Sequence, residues 1–197
     1  MNRTIKLLMI SDIFISTGFG LIQPILAIFI KEDLVGGSIL NAGIAGTIFM
    51  AVKSVVQLPF SKYVDKHDDK VRWLLAGTFL ITIVPVIYIF ARHIYLLFVA
   101  QVILGVGHGL AYPTWVGLWS LHMDRFRESY EWSLYSTLTG LGSAGTAVIG
   151  AVVAQFVGFV HTFILVGLMS LSGFFVLFLL EKNNRNRQIS PGPPNPV

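Results

Sequence analysis

Hydrophobic positions in this chain come in long runs separated by short charged or turn-forming segments. The runs cover residues 5–29, 42–59, 73–91, 95–121, 132–157 and 159–180. A bilayer core roughly 30 Å thick takes about 20 helical residues to cross, so the pattern predicts an all-α integral membrane protein of six spans. Inside the runs, polar residues follow helical spacing. Asp12, Ser16, Gly20 and Gln23 share one face of the first span, and Gln101, Gly105, His108, Tyr112, Trp115 and Trp119 share one face of the fourth. The second span offers Gly46, Met50, Lys53 and Gln57, and the fifth a stripe of small residues from Gly140 through Ser143 to Ala154. Spans three and six hold only scattered polar residues and are expected to face lipid. Polar or small faces on four helices suit a solute pathway, because packing alone does not need them.

Two stretches repeat. Gly18-Phe19-Gly20-Leu21-Ile22-Gln23-Pro24 and Gly107-His108-Gly109-Leu110-Ala111-Tyr112-Pro113 share the pattern G-x-G-L-x-x-P, and at the same offset Asp12 matches Gln101. Three spans, an odd number, separate the copies, so the halves run through the membrane in opposite directions. The expected organisation is therefore two inverted three-helix repeats, about 5–91 and 95–180, within a bundle over 1–181.

Composition agrees with the membrane class: 54% of residues are hydrophobic and 12% charged, and mean hydropathy is +0.73. The net charge of +4 points to orientation rather than to nucleic acid, because the basic residues occupy loops. Arg3, Lys6, Lys62, Lys66, Lys70, Arg72, Arg125, Arg127, Lys182, Arg185 and Arg187 fall on one side, and only Lys31 and Arg92 on the other. The positive-inside rule then puts both termini in the cytoplasm of a multi-pass plasma (cell) membrane protein, in a bacterium the inner membrane. With Asp12 inside its apolar run, the first span reads as a retained helix rather than a cleaved signal. After Glu181 the sequence turns to Asn, Arg and then Pro-Gly-Pro-Pro-Asn-Pro, so 182–197 is expected to be a disordered cytoplasmic tail.

Candidate chemistry is sparse. A charge at mid-membrane costs about 2.5–3.5 kcal/mol, so Asp12 and Lys53 should face the interior and find partners. They are expected to lie on neighbouring antiparallel helices, either as a structural ion pair or as a substrate or coupling site. His108 is either a neutral hydrogen-bonding residue or a proton-coupling group. Trp115 is a cavity candidate, and Trp119, near the cytoplasmic boundary, reads as an interfacial anchor. The string Gly140-Leu141-Gly142-Ser143-Ala144-Gly145 matches a dinucleotide fingerprint but lies in a helical apolar run with no preceding strand, so close helix packing explains it better. The chain has no cysteine and no metalloprotease, serine hydrolase or Walker motif, which points away from an enzyme and from any metal or cofactor.

The sequence resembles the amino-terminal six-helix half of a major facilitator superfamily transporter over nearly everything before the tail. The family's loop motif G-x-x-x-D-[RK]-x-G-[RK]-[RK] is met by Ser61-Lys62-Tyr63-Val64-Asp65-Lys66-His67-Asp68-Asp69-Lys70, with both glycines replaced. Gln101 stands four residues before Gly105 where the family has a proton-linked arginine. The helix-five glycine pattern survives as Gly142 and Gly150 without its proline. The resemblance implies a cavity lined by spans one and four, with Asp12, Gln23, Lys53, Gln57, Gln101, His108, Tyr112 and Trp115 as substrate or coupling candidates. It implies a cytoplasmic gate at Ser61, Asp65, Lys66, Arg125, Arg127 and Glu131, and helix packing at Gly105, Gly109, Gly142 and Gly150. Family members normally have twelve helices, so six supply one wall. The expected function is a half-size secondary transporter moving a small solute by alternating access. Its partners would be the lipid bilayer, the solute, and a second copy or second six-helix half, with no nucleic acid. The alternatives are a non-transporting assembly or regulatory protein, or a truncated transporter fragment.

Overall fold

The structure is a computed structural model that describes the backbone of residues 3–189 and the side chains of residues 3–181. The described residues form seven helices: α1 (Arg3–Gly20), α2 (Leu26–Asp33), α3 (Ile39–Asp65), α4 (Lys70–Phe90), α5 (Ile94–His122), α6 (Glu128–Phe156) and α7 (Phe159–Ile189). Five of them, α3 to α7, are long and apolar enough to cross a membrane. α7 runs past Glu181 into the segment expected to be a tail, and residues 190–197 of that segment lie outside the described residues.

The apolar run 5–29 is not one helix. It divides at Gly20–Ile25, where Pro24 has no N–H and disfavours helical backbone at the residue before it. Tighter bonds fill the gap, from Leu21 N to Gly18 O, Ile22 N to Phe19 O and Ile25 N to Ile22 O, each 3.1 Å. Pro113, at the matching place in the repeat, sits inside an unbroken α5, so proline permits the break without compelling it.

Local chemistry sets the turns. Gly36 takes φ +80°, open to glycine at no steric cost, and the Ser38 hydroxyl caps α3 by accepting from Asn41 N at 3.0 Å. Beside this turn, Val35 N donates to Arg92 O at 2.9 Å and Ile94 N donates to Val35 O at 3.1 Å. The two weakly charged loops are thereby stitched together at one end. After α3 ends, the Lys70 ammonium donates to Val64 O and His67 O, both at 2.9 Å, satisfying carbonyls that the helix leaves open.

α5 packs between α3 and α4, α1 packs on α7 and α6, and a contact between α4 and α7 joins the two groups. One expectation changes here: α1 and α3 are not packed neighbours. α4 and α7, expected to face lipid, also pack on α5 and α1 and on each other. Over their most apolar stretches, 44% of α4 and 33% of α7 is buried, against 6% each for α3 and α6. The sequence hides this because lipid tails are as apolar as leucine, so a face against lipid and a face against protein read alike.

Missing side chains set the tightest approaches. A Cβ on Gly105 would come 2.8 Å from Val52 Cβ, and one on Gly109 2.8 Å from Val56 Cβ, which presses α5 on α3. A Cβ on Gly142 would meet Thr17 Cγ2 at 2.3 Å, and one on Gly150 would meet Leu21 O at 1.9 Å, which presses α6 on the first span. Small residues that let backbones approach are the usual means of holding helices together in lipid.

Candidate functional site

A cavity of about 1070 Å³ opens between the two helix groups and takes residues from all seven helices. Six of the eight substrate candidates line it: Asp12, Gln23, Gln101, His108, Tyr112 and Trp115. Lys53 and Gln57 do not. The Lys53 ammonium lies over the Tyr112 ring, 5.1 Å from its centre. Gln57 borders a smaller recess of about 300 Å³ with Ser54, Leu58 and Ser61.

Asp12 is the one charged side chain in the cavity lining, and the expected contact with Lys53 is not made. Its Oδ2 accepts from Tyr135 Oη at 2.6 Å and from Ser16 Oγ at 3.0 Å. Both donors converge on the same oxygen. The pairing fails because α1 rests on α6 and α7, so the hydroxyl nearest Asp12 belongs to α6. Across the cavity the buried Gln101 donates from Nε2 to Tyr88 Oη at 3.0 Å. The His108 ring meets Phe49 edge-on, centroids 5.4 Å apart.

Tyr135 and Tyr88 were not singled out from sequence. Tyr135 had a signal: with Gly142, Thr146 and Gly150 it falls on the face of α6 that meets the first span. Tyr88 had none, since one tyrosine in an apolar run reads as lipid-facing.

Below Asp12, towards the loop between α5 and α6, four aromatic rings close together. Trp115 stacks on Trp119 at 4.8 Å, Tyr135 lies 4.9 Å from Trp115 and 5.4 Å from Trp119, and Trp132 lies 5.5 Å from Trp119. Trp119 is fully buried, which corrects its reading as an interfacial anchor: the rings of α6 cover it. Trp115 Nε1 also donates to Leu8 O at 3.4 Å, tying α5 to α1. Only Trp115 and Tyr135 of this cluster reach the cavity.

The gate candidates divide. Asp65, Lys66, Arg125 and Arg127 are exposed and Ser61 is half-buried, donating to Leu58 O. Glu131, expected at the solvated gate, is instead 1% exposed. Its Oε2 accepts from Asp124 N at 3.4 Å, folding the carboxylate back under the turn that opens α6. Among the described residues no cluster of His, Asp or Glu is arranged to hold a metal ion. The cavity thus presents apolar and aromatic walls, a few hydroxyl and amide groups and one carboxylate, which suits reversible holding of a small molecule.

A family model described as Major Facilitator Superfamily matches residues 8–196. No curated protein matches the chain.

Proposed function

The chain belongs to the major facilitator superfamily, and on that premise we propose that it is a six-span half of a secondary transporter, moving a small solute across the plasma membrane by alternating access. In this reading α1 and α2 together make the first span, both termini are cytoplasmic, and the exposed Asp65, Lys66, Arg125 and Arg127 border the cytoplasmic gate. The observation that carries the reading is the cavity, where polar residues of α1 and α5 meet although 107 residues separate Trp115 from its acceptor on Leu8. α3 and α6 are left almost unburied on either side of it, as one wall of a two-walled pathway requires.

Inverted repeats are supported by the glycines of the repeated motif. Gly18 packs on α7 and its counterpart Gly107 on α4, while Gly20 packs on α6 and Gly109 on α3. Each copy therefore sits between the second and third spans of the other half, the relation that a two-fold axis in the membrane plane produces.

The test is the oligomeric state of the purified chain in lipid nanodiscs by native mass spectrometry, followed by solute uptake in proteoliposomes. A stable dimer supports a pathway enclosed by two copies. A strict monomer overturns that pairing and leaves a separate second half or a non-transporting fragment.

A further inference from the structure

The geometry points to a substrate class: we propose that the Asp12 site takes an organic monocation, an ammonium group carrying an aromatic or alkyl body. Three observations converge. Asp12 is the only charged residue lining the cavity, and among the described residues it has no cationic partner. Both protein donors, Tyr135 and Ser16, sit on Oδ2, which fixes the carboxylate and leaves Oδ1 without a protein hydrogen bond. An N–H of an ammonium is the donor that completes it, and charge-assisted bonds of this kind are the stronger ones. The neighbouring cavity wall is made by Trp115 and Tyr135, rings packed at 4.9 Å and backed by Trp119. Aromatic faces attract cations, most of all where water is excluded, and they also receive an apolar body.

Other charge classes fit less well. An anion would meet the Asp12 carboxylate, and Lys53, whose ammonium lies 5.1 Å from the centre of the Tyr112 ring, is not among the residues that line the cavity. A hard inorganic cation seeks about six to eight oxygen ligands, whereas the site offers one unpaired carboxylate oxygen among mostly apolar walls.

This assignment rests on the transport reading, but its test measures binding and not movement. The full chain in nanodiscs is titrated with phenylpropylammonium and with the near-isosteric neutral phenylpropanol, with empty nanodiscs subtracted to remove partition into lipid. The ammonium is expected to bind at least about tenfold more tightly than the alcohol, a gap of about 1.4 kcal/mol. Asp12→Asn should close the gap, and Trp115→Leu should weaken the ammonium while leaving a residual preference. Equal affinities in the unaltered chain overturn the proposal, whether or not the Asp12→Asn chain folds. A preference that persists in a folded Asp12→Asn chain overturns it too. Selective binding in a chain that carries nothing across proteoliposomes supports the site while removing the transport reading, so the two fail separately.

Discussion

Gly150 has no room for a single added carbon, since its Cβ would lie 1.9 Å from the Leu21 carbonyl oxygen, whereas a Cβ on Gly145, on the same helix, meets nothing within 4 Å. Gly150→Ala is therefore expected to destabilise the chain by about 1–3 kcal/mol as backbones are forced apart. Gly145→Ala should stay within about 0.5 kcal/mol, and thermal unfolding in detergent compares the two. Lys53 gives a second case. It has a ring and not a carboxylate to lose, so Lys53→Met should cost less than about 2 kcal/mol, where removing one member of a buried ion pair would cost about 3–5 kcal/mol. Urea unfolding in mixed micelles separates these ranges. That Lys53 lies in a helix long and apolar enough to cross a membrane was legible from its apolar run, as was the place of Asp12 on a helix that lines the cavity. Their partners were not, because depth along a helix says nothing about which neighbour the helix has.

Helix existence was legible for α3 to α7, where long apolar runs end at charges. The break between α1 and α2 was not. Pro24 and Pro113 occupy the same motif position, yet only the first interrupts its helix, so the shared motif does not decide the outcome. The burial of α4 and α7 was hidden for the related reason that protein and lipid offer a leucine the same environment. The stitch between the α2–α3 and α4–α5 loops gives a check at this scale. Because Val35 and His93 are bridged across the backbone, Val35→Cys with His93→Cys is expected to form a disulfide on mild oxidation, read as a mobility shift on a denaturing gel. Val35→Cys with Lys66→Cys, at opposite ends of α3, should not. The chain has no cysteine of its own, so every cross-link is assignable.

For the whole molecule, the alternation of loop charge read from sequence matches the way the structure gathers loops: Arg92 lies in one stitched loop and Lys31 in the last turn of α2 before the other, and the basic loops lie beyond the other ends of α3 and α5. In sealed vesicles of known orientation, Lys66→Cys and Arg92→Cys should react with an impermeant maleimide from opposite sides, with Lys66→Cys on the cytoplasmic one. If the chain pairs with itself through its unburied helices, Gly46→Cys on α3 or Gly145→Cys on α6, both facing open space, should give a cross-linked dimer with a bifunctional maleimide. Only monomer at every such position would exclude that face. The hydrogen bond from Tyr135 to Asp12 has one more consequence, in time rather than space. The two residues are 123 positions apart, and a ribosome adding about 5–20 residues per second separates their synthesis by roughly 6–25 s. For that interval the Asp12 carboxylate has Ser16, four residues on, as a donor but not Tyr135. Made before its partners, α1 finds most of its packing surface only once α6 and α7 have followed, whereas α3 and α4 can pack as soon as α5 is made.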